Sequence, residues 1–348
     1  MRMQIHRTIP KIGQGCCVDQ LFTLRDRKIR VMYDCGSYQS KELEQYIDSI
    51  DKGIETILVV SHLHKDHINC IPYLLDSKLK ITRLVMPNIS ENIRKIFATS
   101  LDSDTSDSLY DFIFNPRSMF ETISLVNKRI ETSDNLVDRG EIPFSEASGS
   151  IYDDALYMIL NDGEFAWAAK FWVDKYVYNE LNEKQFETIN SAILDDFKNT
   201  KKRNELISIY ASISEAEKEK LNTTSMLMGT FPHIMAPKKS HYTCFHDCYF
   251  MCGYSERFCG FMCTGDYPIK EKCVAFDIAK HYSKQQFYFK EMMAPHHASN
   301  GYFEHLPFLY MDKAYSQTTK TKRYNHPGSK TEANMKKWNL EFENIVEK

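Results

Sequence analysis

Three imidazoles and one carboxylate fall within the six residues His62-Leu63-His64-Lys65-Asp66-His67, directly after the apolar run Ile57-Leu58-Val59-Val60-Ser61. The apolar run is short, uncharged and rich in β-branched residues, which predicts a buried strand. A buried strand that stops in a dense set of nitrogen and oxygen donors constrains the fold to an α/β sheet with a site at its carboxyl edge. Imidazole with carboxylate suits Zn, Mn or Fe better than Ca. A solvated histidine-rich loop is the bland alternative, and four donor groups in six residues argue against it.

Composition adds bounds. The 348 residues are 43% hydrophobic and 26% charged, ordinary for a globular chain. A net charge of -3 excludes a global basic field for nucleic acid, so a polyanion would need a local patch. The start of the chain lacks an apolar core of signal length, and no run of about eighteen apolar residues occurs. The 10 cysteines are scattered, with Cys16 and Cys17 adjacent, which suits reduced thiols and a cytoplasmic setting.

Hydrophobic spacing predicts an order ββαβαβ over residues 5–90. Strands are expected at 18–24 and 28–33, the second ending at Asp34-Cys35-Gly36. A helix follows over 40–50 with Leu43, Tyr46, Ile47 and Ile50 on one face, then the strand at 57–61, a helix from about Asp66, and a strand at 84–86 stopped by Pro87. Helices are expected at 90–100 and 117–128. Residues 165–178 alternate as a strand, and 182–218 have helical spacing with heavy charge. Lys198, Lys201, Lys202 and Arg203 form the strongest basic cluster there, read as a solvated helix end. Further strands are expected at 225–228, 249–253, 258–263, 287–293 and 313–317, with a helix over 329–338.

Three predicted strand ends carry donor residues: His62, His64, Asp66 and His67; then Asp266 in Thr264-Gly265-Asp266; then His296 and His297 in Pro295-His296-His297-Ala298-Ser299. Carboxyl ends of strands gather on one edge of an open sheet, where ligands bind. Two metal ions ~3.5–4 Å apart need a shared carboxylate and several neutral imidazoles, and such a pair activates a water. Asp266 suits the shared role.

The pattern His-x-His-x-Asp-His, then Thr-Gly-Asp, then a late His resembles the metallo-β-lactamase fold superfamily. Gly13-Gln14-Gly15, Asp34-Cys35-Gly36, Ala294-Pro295-His296-His297-Ala298-Ser299 and Tyr324-Asn325-His326-Pro327 are similar to the ComEC-type competence hydrolase domain and to phosphorylcholine esterases. The resemblance implies an α/β fold, a four-layer αββα sandwich spanning residues 1–348, with a largely helical insertion at about 90–220. It implies two divalent ions, with Zn first and Mn or Fe as alternatives. His62 and His64 would bind the first ion, Asp66, His67 and His297 the second, and Asp266 both. Asp66, His296 and His326 form the candidate catalytic set, and Asp34 would orient a ligand histidine. His297 is preferred to His296 as ligand because it precedes a small residue, as the family ligand precedes Gly. His326 is equally a hydrogen-bonded turn histidine or a proton donor to the leaving group. Lys320, Lys322 and Arg323, beside His326, are candidate phosphate contacts.

The chain departs from the family at the middle ligand of the first ion, where Leu221-Asn222-Thr223-Thr224-Ser225 holds no histidine. Water, Asn222, His233, His241 or His246 remain open as substitutes. Cys244, His246, Cys248 and Cys252 lack zinc-knuckle spacing and read as packed side chains. The resemblance implies a metal-dependent phosphodiesterase or nuclease working through an activated water. A small-molecule ester, lactone or amide hydrolase of the same fold is the alternative, and a non-catalytic binding member of a multi-protein system is the third. A phosphodiester substrate, possibly nucleic acid, and an oligomer or protein partner at the insertion are the expected partners.

Overall fold

The computed structural model describes residues 3–128, 142–143, 149–163, 165–174, 187–234, 259–319 and 326–347. Among them the strands are β1 (Met3–Thr8), β2 (Gly15–Leu24), β3 (Arg27–Ser37), β4 (Thr56–Val59), β5 (Ile81–Pro87), β6 (Ile123–Asn127), β7 (Ile142–Pro143), β8 (Gly149–Tyr152), β9 (Tyr157–Asn161), β10 (Phe165–Trp172), β11 (Leu227–Ile234), β12 (Gly260–Cys263), β13 (Phe289–Met293), β14 (Lys313–Thr318) and β15 (Glu341–Val346). The helices are α1 (Ser40–Ser49), α2 (Lys65–Ile68), α3 (Ile71–Asp76), α4 (Glu91–Thr99), α5 (Asp107–Phe114), α6 (Glu187–Ser191), α7 (Leu194–Lys198), α8 (Thr200–Ala211), α9 (Glu215–Lys220), α10 (Lys272–His281) and α11 (Ser329–Lys337).

Two mixed sheets form, ordered β1-β2-β3-β4-β5-β6-β8 and β15-β14-β13-β12-β11-β10-β9-β7. In the first, β3 through β8 pair in parallel. In the second, β12 through β15 do. Parallel strands need cover on both faces, and their apolar runs supply it. Three cores follow. One joins the first sheet to α1, α3, α4 and α5 through Leu43, Leu58, Leu74, Phe97 and Phe112. One lies between the sheets around Phe22, Val59, Trp167, Phe171 and Phe261. One joins the second sheet to α10 and α11 through Met262, Ile278, Phe289 and Met335. Three cores between four layers make the αββα sandwich that the resemblance implies.

Several expectations shift. Residues 117–128 are not a helix: a single 3-10 turn at Pro116–Ser118 precedes β6. Pairing of β6 with β5 and β8 outweighs the helix-like spacing of Met119, Phe120, Ile123 and Val126. Residues 90–220 carry α4–α9, as expected, and also β6–β10, which belong to the two sheets. The expected strand at 249–253 lies outside the described residues. In the basic cluster, Lys198 pairs with Asp111 at 2.7 Å and Lys202 with Asp196 at 2.5 Å, but Arg203 is buried and donates to the Thr105 carbonyl at 3.3 Å, so it departs from the solvated helix end expected. No described helix is long and apolar enough to cross a membrane.

Candidate metal centre

The centre assembles where strands end. Strand β4 delivers Ser61, whose amide and hydroxyl donate to Asp34 at 2.6 and 2.7 Å. Asp34 itself takes a left-handed conformation near the end of β3, with φ 59. Its Oδ2 is 2.7 Å from His67 Nδ1, which leaves Nε2 facing the centre. Helix α2 starts immediately after His64 and turns Asp66 and His67 inward, where both are buried. Gly36 permits this approach: a Cβ there would lie 2.5 Å from backbone atoms of Asp66 and His67. Gly265 follows β12 with φ 54, and a Cβ there would meet Ser61 at 2.9 Å. That turn carries Asp266, which is buried.

The expected donors meet around Asp266. His62 Nε2 is 2.9 Å from His64 Nδ1 and 3.6 Å from Asp266 Oδ2. His67 Nε2 is 3.1 Å from Asp266 Oδ1. His297 Nε2 is 3.1 Å from Asp66 Oδ2 and 4.0 Å from Asp266 Oδ1. His297 Nδ1 faces the Gln317 carbonyl at 3.1 Å, which sets the tautomer that frees Nε2. His296 Nε2 is 3.6 Å from Asp266 Oδ2. The His326 ring lies 5.6 Å from that of His296 and 6.1 Å from that of His297.

Burial pushes His62 well below the usual imidazole range, and it pushes His64 and His326 down to about 4. These rings are neutral at pH 7, the form that binds a metal. For His67, burial is overcome by Asp266 and Asp34, which hold it well above its usual value. For Asp266, burial is overcome by the imidazoles of His296 and His67, which hold it well below the carboxylate range. Asp66 is lowered despite its burial by the hydrogen bond from His297 and the charge on His67. Ionised Asp66 and Asp266 within one buried pocket demand positive charge, and a divalent cation meets that demand with His67 neutral.

That donor chemistry fits the metals the resemblance implies. Two groups whose donor atoms lie within 4.8 Å of one another are His62, His67 and Asp266, and Asp66, His67 and His297. A third group, Cys16, Asp34 and His67, lies behind His67. There burial pushes the Cys16 thiol up to about 12, which keeps it protonated and unlike a thiolate ligand.

Sequence reading missed Ser61, Cys16 and Tyr302. Ser61 carried one signal, a small polar residue closing an apolar strand. Tyr302 packs against His296 with ring centroids 4.0 Å apart and accepts from Asn222 Nδ2 at 2.9 Å. No local pattern marks it. Lys320, Lys322, Arg323, His241, His246, Cys244, Cys248 and Cys252 lie outside the described residues.

No family model matches the chain. Cleavage and polyadenylation specificity factor subunit 3-I of Arabidopsis thaliana is 24% identical over 155 residues, covering 43% of this chain and 21% of that protein. Endoribonuclease YSH1 of Candida glabrata is 24% identical over 161 residues, covering 43% and 20%. The chain thus spans about a fifth of the length of these curated relatives. Among solved structures, a long form RNase Z from yeast aligns over 84% of this chain and 32% of its own, with 9% identity and a TM-score of 0.34. The metallo-beta-lactamase fold protein YhfI from Bacillus subtilis aligns over 97% and 96%, with 10% identity and a TM-score of 0.34.

Proposed function

We propose that the chain is a metal-dependent phosphodiesterase acting on nucleic acid. One observation carries the reading: seven imidazole and carboxylate side chains from three distant segments, His62, His64, Asp66, His67, Asp266, His296 and His297, converge on a buried centre around Asp266. When bound, divalent ions would supply Lewis acidity, lowering the pKa of water toward ~7 and neutralising charge on a phosphoryl oxygen.

The chain's own residues divide the remaining work. His62 and His64 form one arm of the cradle, Asp66, His67 and His297 the other, and Asp266 joins them. Asp34 and the Gln317 carbonyl fix the tautomers of His67 and His297. His326, at the rim, is placed to hydrogen bond a phosphate oxygen and to pass a proton to the leaving oxygen once an anionic substrate raises its low pKa. Lys320, Lys322 and Arg323 remain candidate phosphate contacts. RNA is the first substrate to try, since one curated relative is named an endoribonuclease and the other a cleavage and polyadenylation specificity factor subunit. DNA is the second, from the ComEC-like motifs.

Metal-loaded protein is incubated with RNA, single- and double-stranded DNA and a chromogenic phosphodiester. Turnover with Zn, Mn or Fe that disappears in Asp266→Asn is expected. No turnover on any of them sinks the reading. Net charge of -3 favours a second reading, hydrolysis of a neutral ester, lactone or amide. A salt-independent rate on such a substrate, with none on nucleic acid, would favour it.

A further inference from the structure

We propose that His296 supplies the third protein ligand of the first metal, in place of a histidine from the turn at Leu221–Thr224. The proposal rests on the two-metal reading above.

The turn offers no imidazole. Its Asn222 commits the amide nitrogen to the Tyr302 hydroxyl. His233 is seven residues along β11 from Met226, whose amide donates to the Ser61 carbonyl at 2.9 Å. At ~3.3 Å per residue that is roughly 23 Å from Met226.

The Asp266 carboxylate divides its surroundings in two. Oδ1 faces Nε2 of His67 and His297, at 3.1 and 4.0 Å. Oδ2 faces Nε2 of His62 and His296, each at 3.6 Å. Adding His64 beside His62, and Asp66 beside His297, gives two sets of equal size, with His67 also within 4.8 Å of the His62 and Asp266 donors. One is His62, His64, His296 and Asp266; the other is Asp66, His67, His297 and Asp266. Four donors per ion is the coordination Zn prefers.

The backbone has been bent to achieve this division. His296, His297 and Ala298 run consecutively through the left-handed region, with φ of 47, 52 and 60. Non-glycine residues rarely adopt this backbone, and strain of this kind persists where a site demands it. Its effect is to send two neighbouring imidazoles to opposite oxygens of one carboxylate. The His296 amide donates to the Gly265 carbonyl at 3.1 Å, tying the bend to the Asp266 turn. His296 Nδ1 is buried without a hydrogen-bond partner. The ring is instead held by its edge contact with Tyr302, which Asn222 steadies. Asn222 thus steadies the Tyr302 ring that packs on His296.

The test is metal content of the full chain. Chelator-stripped protein is reloaded with Zn or Co, and ions per chain are measured by elemental analysis, with the visible spectrum of the Co form as a second readout. Wild type should hold two ions. His296→Ala should hold one, and so should His296→Gly, whose residue tolerates the left-handed backbone; circular dichroism checks that both fold. Free imidazole should restore the second equivalent to His296→Gly. His326→Ala and a His241→Ala/His246→Ala double variant should keep two. Two ions retained in both His296 variants with wild-type affinity would overturn the assignment and return His296 to substrate contact. Wild type holding less than one ion would instead sink the two-metal reading and this assignment with it.

Discussion

Asp34 shows how a single carboxylate can hold a site without touching it. Its two oxygens accept from the Ser61 amide, the Ser61 hydroxyl and His67 Nδ1, and its side chain is fully buried. Asp34→Ala would leave those groups unpaired, at ~1–3 kcal/mol each, and let the His67 ring rotate. A drop of about 10–100-fold in metal affinity is expected, read by competition with a chromophoric chelator. Gly36 acts by lacking a side chain. Gly36→Ala would force the start of α2 away from β3, costing ~1–3 kcal/mol in urea unfolding and weakening any metal bound at Asp66 and His67. Unchanged metal affinity in both variants would contradict this account. At this scale the sequence was most legible where donors crowd together, since 62–67 announces itself. The contact between Tyr302 and Asn222, 80 residues apart, leaves no trace in local spacing.

Helix α10 is fastened to β10 by a reciprocal pair of bonds. Lys170 Nζ donates to the His281 carbonyl at 2.6 Å, and the His281 ring donates to the Phe171 carbonyl at 2.6 Å. Burial lowers the Lys170 pKa to about 8 from 10.5. Between those two values the unfolded chain binds a proton that the native chain lacks, so this residue's contribution to stability rises with pH. Unfolding free energy of wild type relative to Lys170→Met should climb from about pH 8 to 10.5, by at most about 1.4 kcal/mol per unit. A flat difference across that window would refute it. Elements were readable from sequence wherever apolar spacing was unambiguous, as in β4, β10 and α1. Residues 123–127 were not, because a short apolar run suits either period and only its neighbours β5 and β8 decide.

The two sheets are joined by polar contacts as well as by the apolar layer between them. Gln317, on β14, accepts from the Cys17 amide at 2.9 Å and donates to the Pro10 carbonyl at 2.8 Å, both across the sandwich and fully buried. Gln317→Leu would strand both partners and should cost about 2–4 kcal/mol in chemical denaturation. It should also loosen His297, whose Nδ1 rests on the Gln317 carbonyl. Unchanged stability would show that the apolar layer alone holds the halves together. The four-layer architecture followed from the family resemblance that the strand-end motifs carry, but the partition of helices and strands over 90–220 required sheet pairing that no local window contains.

One consequence lies in how the centre is divided along the chain. His62, His64, Asp66 and His67 precede the passage from β8 to β9, while Asp266, His296, His297 and His326 follow it. Neither stretch by itself brings Asp266 together with His62, His64 and His67. An ion bound there would act as a cross-brace, so that its loss should free the halves to breathe apart first along the seam at Asp266.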